Sequence, residues 1–403
     1  MPVKQSLKSK IQRIQKAIRT EGIHGWLLYD FRGSNPFATS VMEIPSHMHC
    51  TRRMFYYIPA RGTPKKLVHN IEKYNLDHLP GTRQIYVGWK SLEEELAKLL
   101  NKANTIAMEY SPRNAIPYVS IVDAGMVELV KKQKVKIVSS ANLVQRFEAV
   151  WTPKQYRENK KVARYCLDTM HNAFAYIGKQ VKARRKVTEY DVQQYIVKEL
   201  KKRNYVFSHP PNCSVNANAA NPHYEPTQKI NSPIKKGDFV LIDLWAKKDE
   251  KDGVYSDITW TGYVGDSVPE KYTEIFTIVR EARDEALAYV EDAMKNKRTI
   301  RGCDVDDVAR KVIEKNGYGK YFIHRTGHSI GREMHDNGAH LDNLETRDLR
   351  EIIPGTSFTI EPGIYLPGKF GIRSEIDVFV DKNRKVTITA GPAQTEVLPI
   401  LTM

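Results

Sequence analysis

Five short stretches of the chain carry an acid or a histidine where an apolar or β-rich pattern gives no reason for one. In Phe-Val-Leu-Ile-Asp-Leu-Trp-Ala, residues 239–246, Asp243 stands alone in an apolar run. Burying an unpaired carboxylate costs several kcal/mol unless a cation or hydrogen-bond donors compensate. Fourteen residues on, Asp257 follows in Tyr-Ser-Asp-Ile-Thr, after a turn rich in Lys, Asp and Gly. Two antiparallel strands joined by that turn can set both side chains next to each other on one face, where like charges repel unless something cationic lies between them. His-Arg-Thr-Gly-His-Ser-Ile-Gly, 324–331, offers His328 in a Gly-flanked turn where backbone can approach a ligand closely. Glu361 ends the β-rich run of Ser-Phe-Thr-Ile-Glu-Pro-Gly, 357–363, and the Pro362–Gly363 turn is expected to terminate the strand. Ile-Arg-Ser-Glu-Ile-Asp-Val-Phe-Val, 372–380, places Glu375 in a strand with Arg373 on the same face.

Singly, each of these residues is more often a cap or a salt-bridge member. Together, four carboxylates and one imidazole form an oxygen-rich set that suits paired Mn, Fe or Co ions better than a thiolate zinc site. Two divalent ions nearly balance four carboxylates and one solvent-derived anion. Without metal, some of those carboxylates must take up protons.

The elements that must position these residues follow from periodicity. Ile11, Ile14, Ala17 and Ile18 predict an N-terminal helix, and further helices are expected at 92–100 and 120–130. Strands are expected at 26–29, 54–59, 105–108 and 135–138, which makes residues 1–151 an α/β domain with a mixed sheet. Trp151-Thr-Pro breaks the pattern, with Thr152 placed to cap a helix and Pro153 suited to its first turn. Residues 152–403 form the second domain. It opens with a long helix over 154–182 and another over 188–202, where Thr188 and Asp191 have capping-box spacing. Strands at 239–246 and 255–264, helices at 270–295 and 304–316, and strands at 357–360 and 376–380 complete it.

A hydrophobic share of 41% and a charged share of 27% fit a soluble globular protein and exclude disordered, collagenous and coiled-coil classes. No apolar run approaches the length of a membrane span, and the N-terminus lacks a secretory signal pattern, so a cytoplasmic protein is expected. The basic stretch Met1–Glu21 resembles a transit peptide in charge, but its apolar stripe reads better as a packed helix. The four cysteines are far apart and form no CxxC pair. The net charge is +16, and residues 1–151 hold most of it, with 23 Lys and Arg against 12 Asp and Glu. This raises nucleic acid as a partner. The basic run Lys131, Lys132, Lys134 and Lys136 is not interleaved with aromatics as a single-strand platform requires, and a solvated face is expected instead.

The ordered set Asp243, Asp257, His328, Glu361 and Glu375, in the contexts LIDLWA, YSDIT, HRTGHSIG, FTIEPGIY and IRSEIDV, resembles the dinuclear site of the prolidase, aminopeptidase P and creatinase family. The resemblance implies an α/β (α+β) chain: a pita-bread catalytic domain preceded by a smaller creatinase/prolidase-type α/β domain. It implies that Asp243 binds one ion and His328 the other, that Asp257 and Glu375 bridge them, and that Glu361 ligates beside His328 and acts as general base. It further implies that His223, in Asn-Pro-His-Tyr-Glu-Pro-Thr, faces substrate, that His335 stabilises the tetrahedral intermediate or shuttles a proton, and that Arg373 orients the carboxylates. His324 and His340 stay open between site and structural roles. The expected cofactor is a pair of divalent ions, Mn foremost, with Fe, Co or Zn as alternatives. The expected substrate is a small Xaa-Pro peptide, a dipeptide or longer, and the expected assembly is a homodimer without membrane attachment.

The sequence departs from the family where Trp260 replaces the Arg of Asp-Ile-Thr-Arg-Thr, and where the hairpin through Lys247, Lys248, Asp249, Glu250 and Lys251 is longer. Both are expected to act on the pocket wall or the outer shell. The alternatives are a same-fold hydrolase or lyase acting on a small non-peptide C–N compound or osmolyte, and a non-catalytic nucleic-acid or protein scaffold. The intact ligand set disfavours metal-free relatives and the scaffold.

Overall fold

The computed structural model describes residues 7–45 and 47–403, so Met1–Ser6 of the basic N-terminal stretch lie outside the described residues. The chain divides into two compact units, one ending at Glu148 and the other beginning at Ala149.

The first unit contains helices α1 (Leu7–Thr20), α2 (Pro36–Val41), α3 (Trp89–Leu100), α4 (Ala124–Lys131) and α5 (Ala141–Glu148). Its strands are β1 (Gly25–Asp30), β2 (Met54–Pro59), β3 (Lys65–His69), β4 (Thr82–Tyr86), β5 (Thr105–Met108) and β6 (Lys136–Ser139). They form one sheet in the order β4-β3-β2-β1-β5-β6, in which only β2 runs against the others. Strand β1 is apolar at nearly every position because both of its faces are covered. Trp26 and Leu28 pack with Ile11, Ile14 and Ile18 of α1 and with α5, whereas Leu27 and Tyr29 pack with Leu92 and Leu96 of α3 and with α4. The helix expected from Ser120 begins four residues later. A short turn at Pro117–Val119 precedes it, and the Asp123 carboxylate caps it by accepting from the Met126 N–H.

The second unit opens with α6 (Pro153–Lys182) and α7 (Glu189–Lys201), each preceded by a threonine cap. Thr188 and Asp191 form the expected capping box. Strands β7 (Tyr205–Val206), β8 (Asn212–Val215), β9 (Phe239–Lys248) and β10 (Ser256–Tyr263) follow, then α8 (Glu270–Lys295) and α9 (Gly302–Lys315). The chain ends with β11 (Ser329–Ile330), β12 (Ser357–Ile360), β13 (Gly363–Leu366), β14 (Phe370–Arg373), β15 (Ile376–Val380), β16 (Val386–Ile388) and β17 (Leu398–Pro399). One sheet has the order β17-β10-β9-β7, with β8 also on β9; another has the order β11-β12-β15-β16.

Period-two alternation explains how these sheets hold a polar site. Val240, Ile242, Leu244 and Ala246 of β9 and Ile258 and Trp260 of β10 pack against α6 and α7. Phe358 and Ile360 of β12 and Ile376, Val378 and Val380 of β15 pack against α8 and α9. The odd-numbered residues therefore point the other way, where the two sheets meet: Asp257 N donates to Asp377 Oδ2 at 3.0 Å, and Thr259 Oγ1 donates to Glu375 Oε2 at 2.7 Å. Two helix-backed layers with polar inner faces constitute the pita-bread fold.

The strand β12 ends at Ile360, as the Pro362–Gly363 pair predicts, but pairing resumes at once in β13, with Gly363 opposite Arg373 in the same register that sets Ile360 opposite Ile376. Glu361 and Glu375 lie opposite each other in the gap. For the same reason Arg373 and Glu375 do not share a strand, since β14 ends at Arg373 and β15 starts at Ile376.

Candidate metal centre

In the β9–β10 register Asp243 faces Thr259 and Asp257 faces Trp245, so the two aspartates are diagonal neighbours on one face rather than directly opposed. Thr259 fills the position between them. Its hydroxyl donates to Glu375 Oε2 at 2.7 Å and accepts from Arg373 Nε at 3.0 Å. At the break between β12 and β13, Glu361 N donates to the Thr326 carbonyl at 2.7 Å, which ties the glutamate to the loop carrying His328. That loop passes so close to β12 that a Cβ at Gly327 would run into the Thr359 carbonyl, which gives the glycine before His328 a steric reason. Thr359 Oγ1 accepts from His328 N at 3.0 Å and donates to Glu361 Oε1 at 3.1 Å.

These elements bring four of the five candidate ligands into one cluster. One ligand atom each from Asp257, His328 and Glu375 lies within 4.8 Å of the others. His328 Nε2 is 3.7 Å from Asp257 Oδ2 and 3.4 Å from Glu361 Oε1. His328 Nδ1 donates to the Ser329 carbonyl at 3.1 Å, which leaves the Nε2 lone pair facing the carboxylates. Asp243 is held at the edge of the cluster by the Arg373 guanidinium, and Arg373 Nε is 3.9 Å from Glu361 Oε2.

Divalent cations fit this donor set. Asp243 Oδ1, Asp257 Oδ1 and Glu375 Oε1 are buried without a hydrogen-bond partner. Buried carboxylate oxygens without donors are costly, and a cation among them removes that cost. In the metal-free chain burial pushes Asp257 and Glu375 well above the ordinary carboxylate range, and neighbouring acids push them further. Burial also raises Glu361 to about 7, opposed by Arg373, and drives His328 well below its usual value, with His335 and Arg325 adding to the effect.

Behind the cluster, Asp377 accepts from Ser256 Oγ and from Asp257 N at 3.0 Å, and burial lifts it to about 7. Carboxylates raised in this way hold protons that the unfolded chain releases above about pH 4. Their stabilisation of the metal-free fold is complete below that pH and is lost as pH rises through 7. The buried histidines His324, His328, His335 and His340, all lowered, act in the opposite sense in both forms, so it is the gap in melting temperature between Mn-loaded and chelator-treated protein that should widen, by roughly 5 °C or more, from pH 5 to pH 8. Parallel curves in calorimetry would contradict this account.

The remaining expected residues are placed as follows. The His335 ring is 4.2 Å from His328, and its Nδ1 is 3.4 Å from Arg325 NH2. Burial lowers His335 to about 4, with further lowering by Arg325, His223 and His209. His223 is exposed, near enough for its charge to be felt at His335. Arg373 also donates to the Tyr365 hydroxyl at 3.0 Å; Tyr365 donates to His324 Nε2 at 2.8 Å, and His324 Nδ1 to the Arg325 carbonyl at 2.7 Å. His324 thus braces the arginine from behind. His340 accepts from Ser329 N at 3.0 Å and fixes the His328 loop. Trp260, expected at the pocket wall or in the outer shell, packs on the helix side, edge-on to His171 at 4.7 Å. Thr259, Thr359, Tyr365, Asp377, Arg325 and His209 were not among the expected site residues. Thr259 and Asp377 stand two residues after Asp257 and Glu375 in the chain, a spacing that could have found them; the others are brought in only by tertiary folding.

Comparison with known proteins agrees with this geometry. The chain is 37% identical over 183 residues to an Xaa-Pro dipeptidase of Lactobacillus helveticus, covering 45% of each chain. It is 38% identical over 156 residues to an Xaa-Pro dipeptidase of Pyrococcus furiosus, covering 39% of this chain and 41% of that protein. The match spans about half the length of these curated relatives. Among solved structures, a prolidase from Thermococcus sibiricus superimposes with a TM-score of 0.59 at 23% identity, covering 97% of this chain and 98% of that one. An X-prolyl aminopeptidase from Caenorhabditis elegans, described as a cytosolic enzyme with a dinuclear active site, superimposes with a TM-score of 0.62 at 16% identity, covering 96% of this chain and 62% of that one. Residues 158–382, which contain all five candidate ligands, match the model of metallopeptidase family M24, and the chain belongs to that family.

Proposed function

We propose that the chain is a dinuclear-metal exopeptidase that hydrolyses the peptide bond of an N-terminal residue preceding proline. The convergence of Asp257, His328 and Glu375, with carboxylate oxygens left unpartnered, carries this reading. Asp243, Asp257, His328, Glu361 and Glu375 would hold two divalent ions, Mn foremost. Bound there, the ions would supply Lewis acidity, polarising a scissile carbonyl and lowering the pKa of a water toward neutrality. Glu361 takes a proton from the attacking water and delivers it to the departing proline nitrogen, so that OH ends on the carbonyl carbon and H on the nitrogen. Its neighbours suit that exchange, because Thr359 donates to the ionised form while burial favours the protonated one. His335 and His223 stabilise the charge that develops on the carbonyl oxygen. Arg373 is anchored by Asp243, Thr259 and Tyr365, and orients the carboxylates without touching substrate. In this reading residues 152–403 carry the chemistry, residues 1–151 form the smaller domain, and the protein works in the cytoplasm as a homodimer.

The test is a peptide panel. Mn-loaded protein should release the N-terminal residue from Ala-Pro or Gly-Pro as a dipeptidase, or from Arg-Pro-Pro as an aminopeptidase. No release from any of the three, with metal bound stoichiometrically, would eliminate the prolyl-peptidase reading.

A further inference from the structure

The first unit contains a cavity of about 790 Å³ at the edge of its sheet where β1, β3 and β4 end. Ligands of open α/β sheets characteristically bind outside the carboxyl ends of the strands, and this volume lies within the range of small-molecule sites. Its wall combines three kinds of group. Arg52 and Arg53 supply two guanidiniums, neither in a salt bridge with a described carboxylate. Trp89 and Phe31 line it as apolar rings that remain 64% and 38% exposed. Asp123 supplies one carboxylate, one oxygen of which caps α4. The His69 ring is already committed, since Nε2 donates to the Val87 carbonyl and Nδ1 accepts from Ile71 N.

Tyr29 is the decisive residue. It is 5% exposed and lines the cavity, yet no described residue gives its hydroxyl a hydrogen bond. Burial and the Asp123 charge push the phenol up to about 12 while Arg53 pulls the other way, so it stays a neutral donor with a carboxylate and a guanidinium in its surroundings. The hydroxyl opens on the cavity, where a ligand acceptor would receive its hydrogen bond.

We propose that this cavity binds a free α-amino acid with an apolar or aromatic side chain, its carboxylate held by Arg52, Arg53 and the Tyr29 hydroxyl, its ammonium by Asp123, and its side chain against Trp89 and Phe31. Two cations opposite one anion, with flat apolar walls, match a zwitterion better than a phosphate, which Asp123 would repel. All of its lining residues belong to the first unit.

The test is calorimetric titration of the metal-free full chain with L-phenylalanine, phenylacetate, 2-phenylethylamine and AMP. L-Phenylalanine should bind saturably, and phenylacetate and 2-phenylethylamine at least about tenfold more weakly. Arg52→Ala should weaken L-phenylalanine binding at least about tenfold, and Asp123→Asn, which keeps a helix-capping side chain, should abolish the preference over phenylacetate. Tyr29→Phe tests the hydroxyl that opens on the cavity and should weaken binding several-fold. Absence of saturable binding, affinity unchanged in Arg52→Ala and Tyr29→Phe alike, or tighter binding of AMP would overturn the proposal.

Discussion

Glu361→Gln, assayed with enough Mn to keep the sites filled because Glu361 is also a proposed ligand, is expected to lower kcat on an Xaa-Pro dipeptide by about 10²–10⁴ with KM close to that of the parent protein. Glutamine keeps the side-chain volume and an oxygen that can accept from Thr359 Oγ1, which now meets Glu361 Oε1 at 3.1 Å. It cannot take a proton from water. Loss of kcat alone would therefore isolate the proton transfer from metal binding. Steady-state kinetics on Ala-Pro, with the metal content of the same sample measured, decide the matter; a kcat within tenfold of the parent would remove Glu361 from the role of base.

The second large effect concerns Asp257→Asn, which separates stability from metal binding. In the metal-free chain Asp257 is buried beside Glu375, Asp243 and Asp377, with Oδ1 unpartnered. Neutralising it removes like-charge repulsion at nearly constant volume, so the melting temperature of the chelator-treated variant should equal or exceed that of the parent. The same change deletes one of the five side chains proposed to hold the ions. The loss of Mn affinity should exceed the 10–100-fold that removal of an outer-shell partner causes, and the rise in melting temperature on adding Mn should disappear. A merely structural Asp257 would give the reverse, a lower melting temperature without metal and an unaltered response to Mn.

Much of this arrangement is legible in the chain because it rests on period-two alternation. The run 239–246 shows Asp243 as the misfit of a buried strand, and the even-numbered apolar residues around it are those that pack on α6 and α7. Long helices such as α6 and α8 are readable from stripes and caps, as at Thr152 and Thr188. What the pattern does not show are β3, β4, β7, β8, β11, β13, β14, β16, β17 and the helices α2 and α5: several are only two to four residues long, and β4 opens with the polar Thr82, Arg83 and Gln84, so no apolar run marks them. Pro362 reads as the end of a strand because proline gives up a ladder donor, yet the hairpin resumes in register and uses the gap to turn Glu361 and Glu375 inward. Trp260 shows the limit of reasoning from a substitution alone. Position 260 lies one residue from Thr259, and that single step puts it on the opposite face of β10, against His171. Tyr365 and His324 support Arg373 through a hydrogen-bond chain that joins three separate segments, which no local spacing reveals.

The most direct measurement is the number of divalent ions that the metal-free chain takes up, read by calorimetric titration with Mn and by elemental analysis of the product. Two ions per chain, both lost in a Glu375→Ala variant that still melts cooperatively, are the result predicted here. No uptake, or uptake that persists undiminished in Glu375→Ala, would contradict the claim that these carboxylates and His328 exist to hold metal.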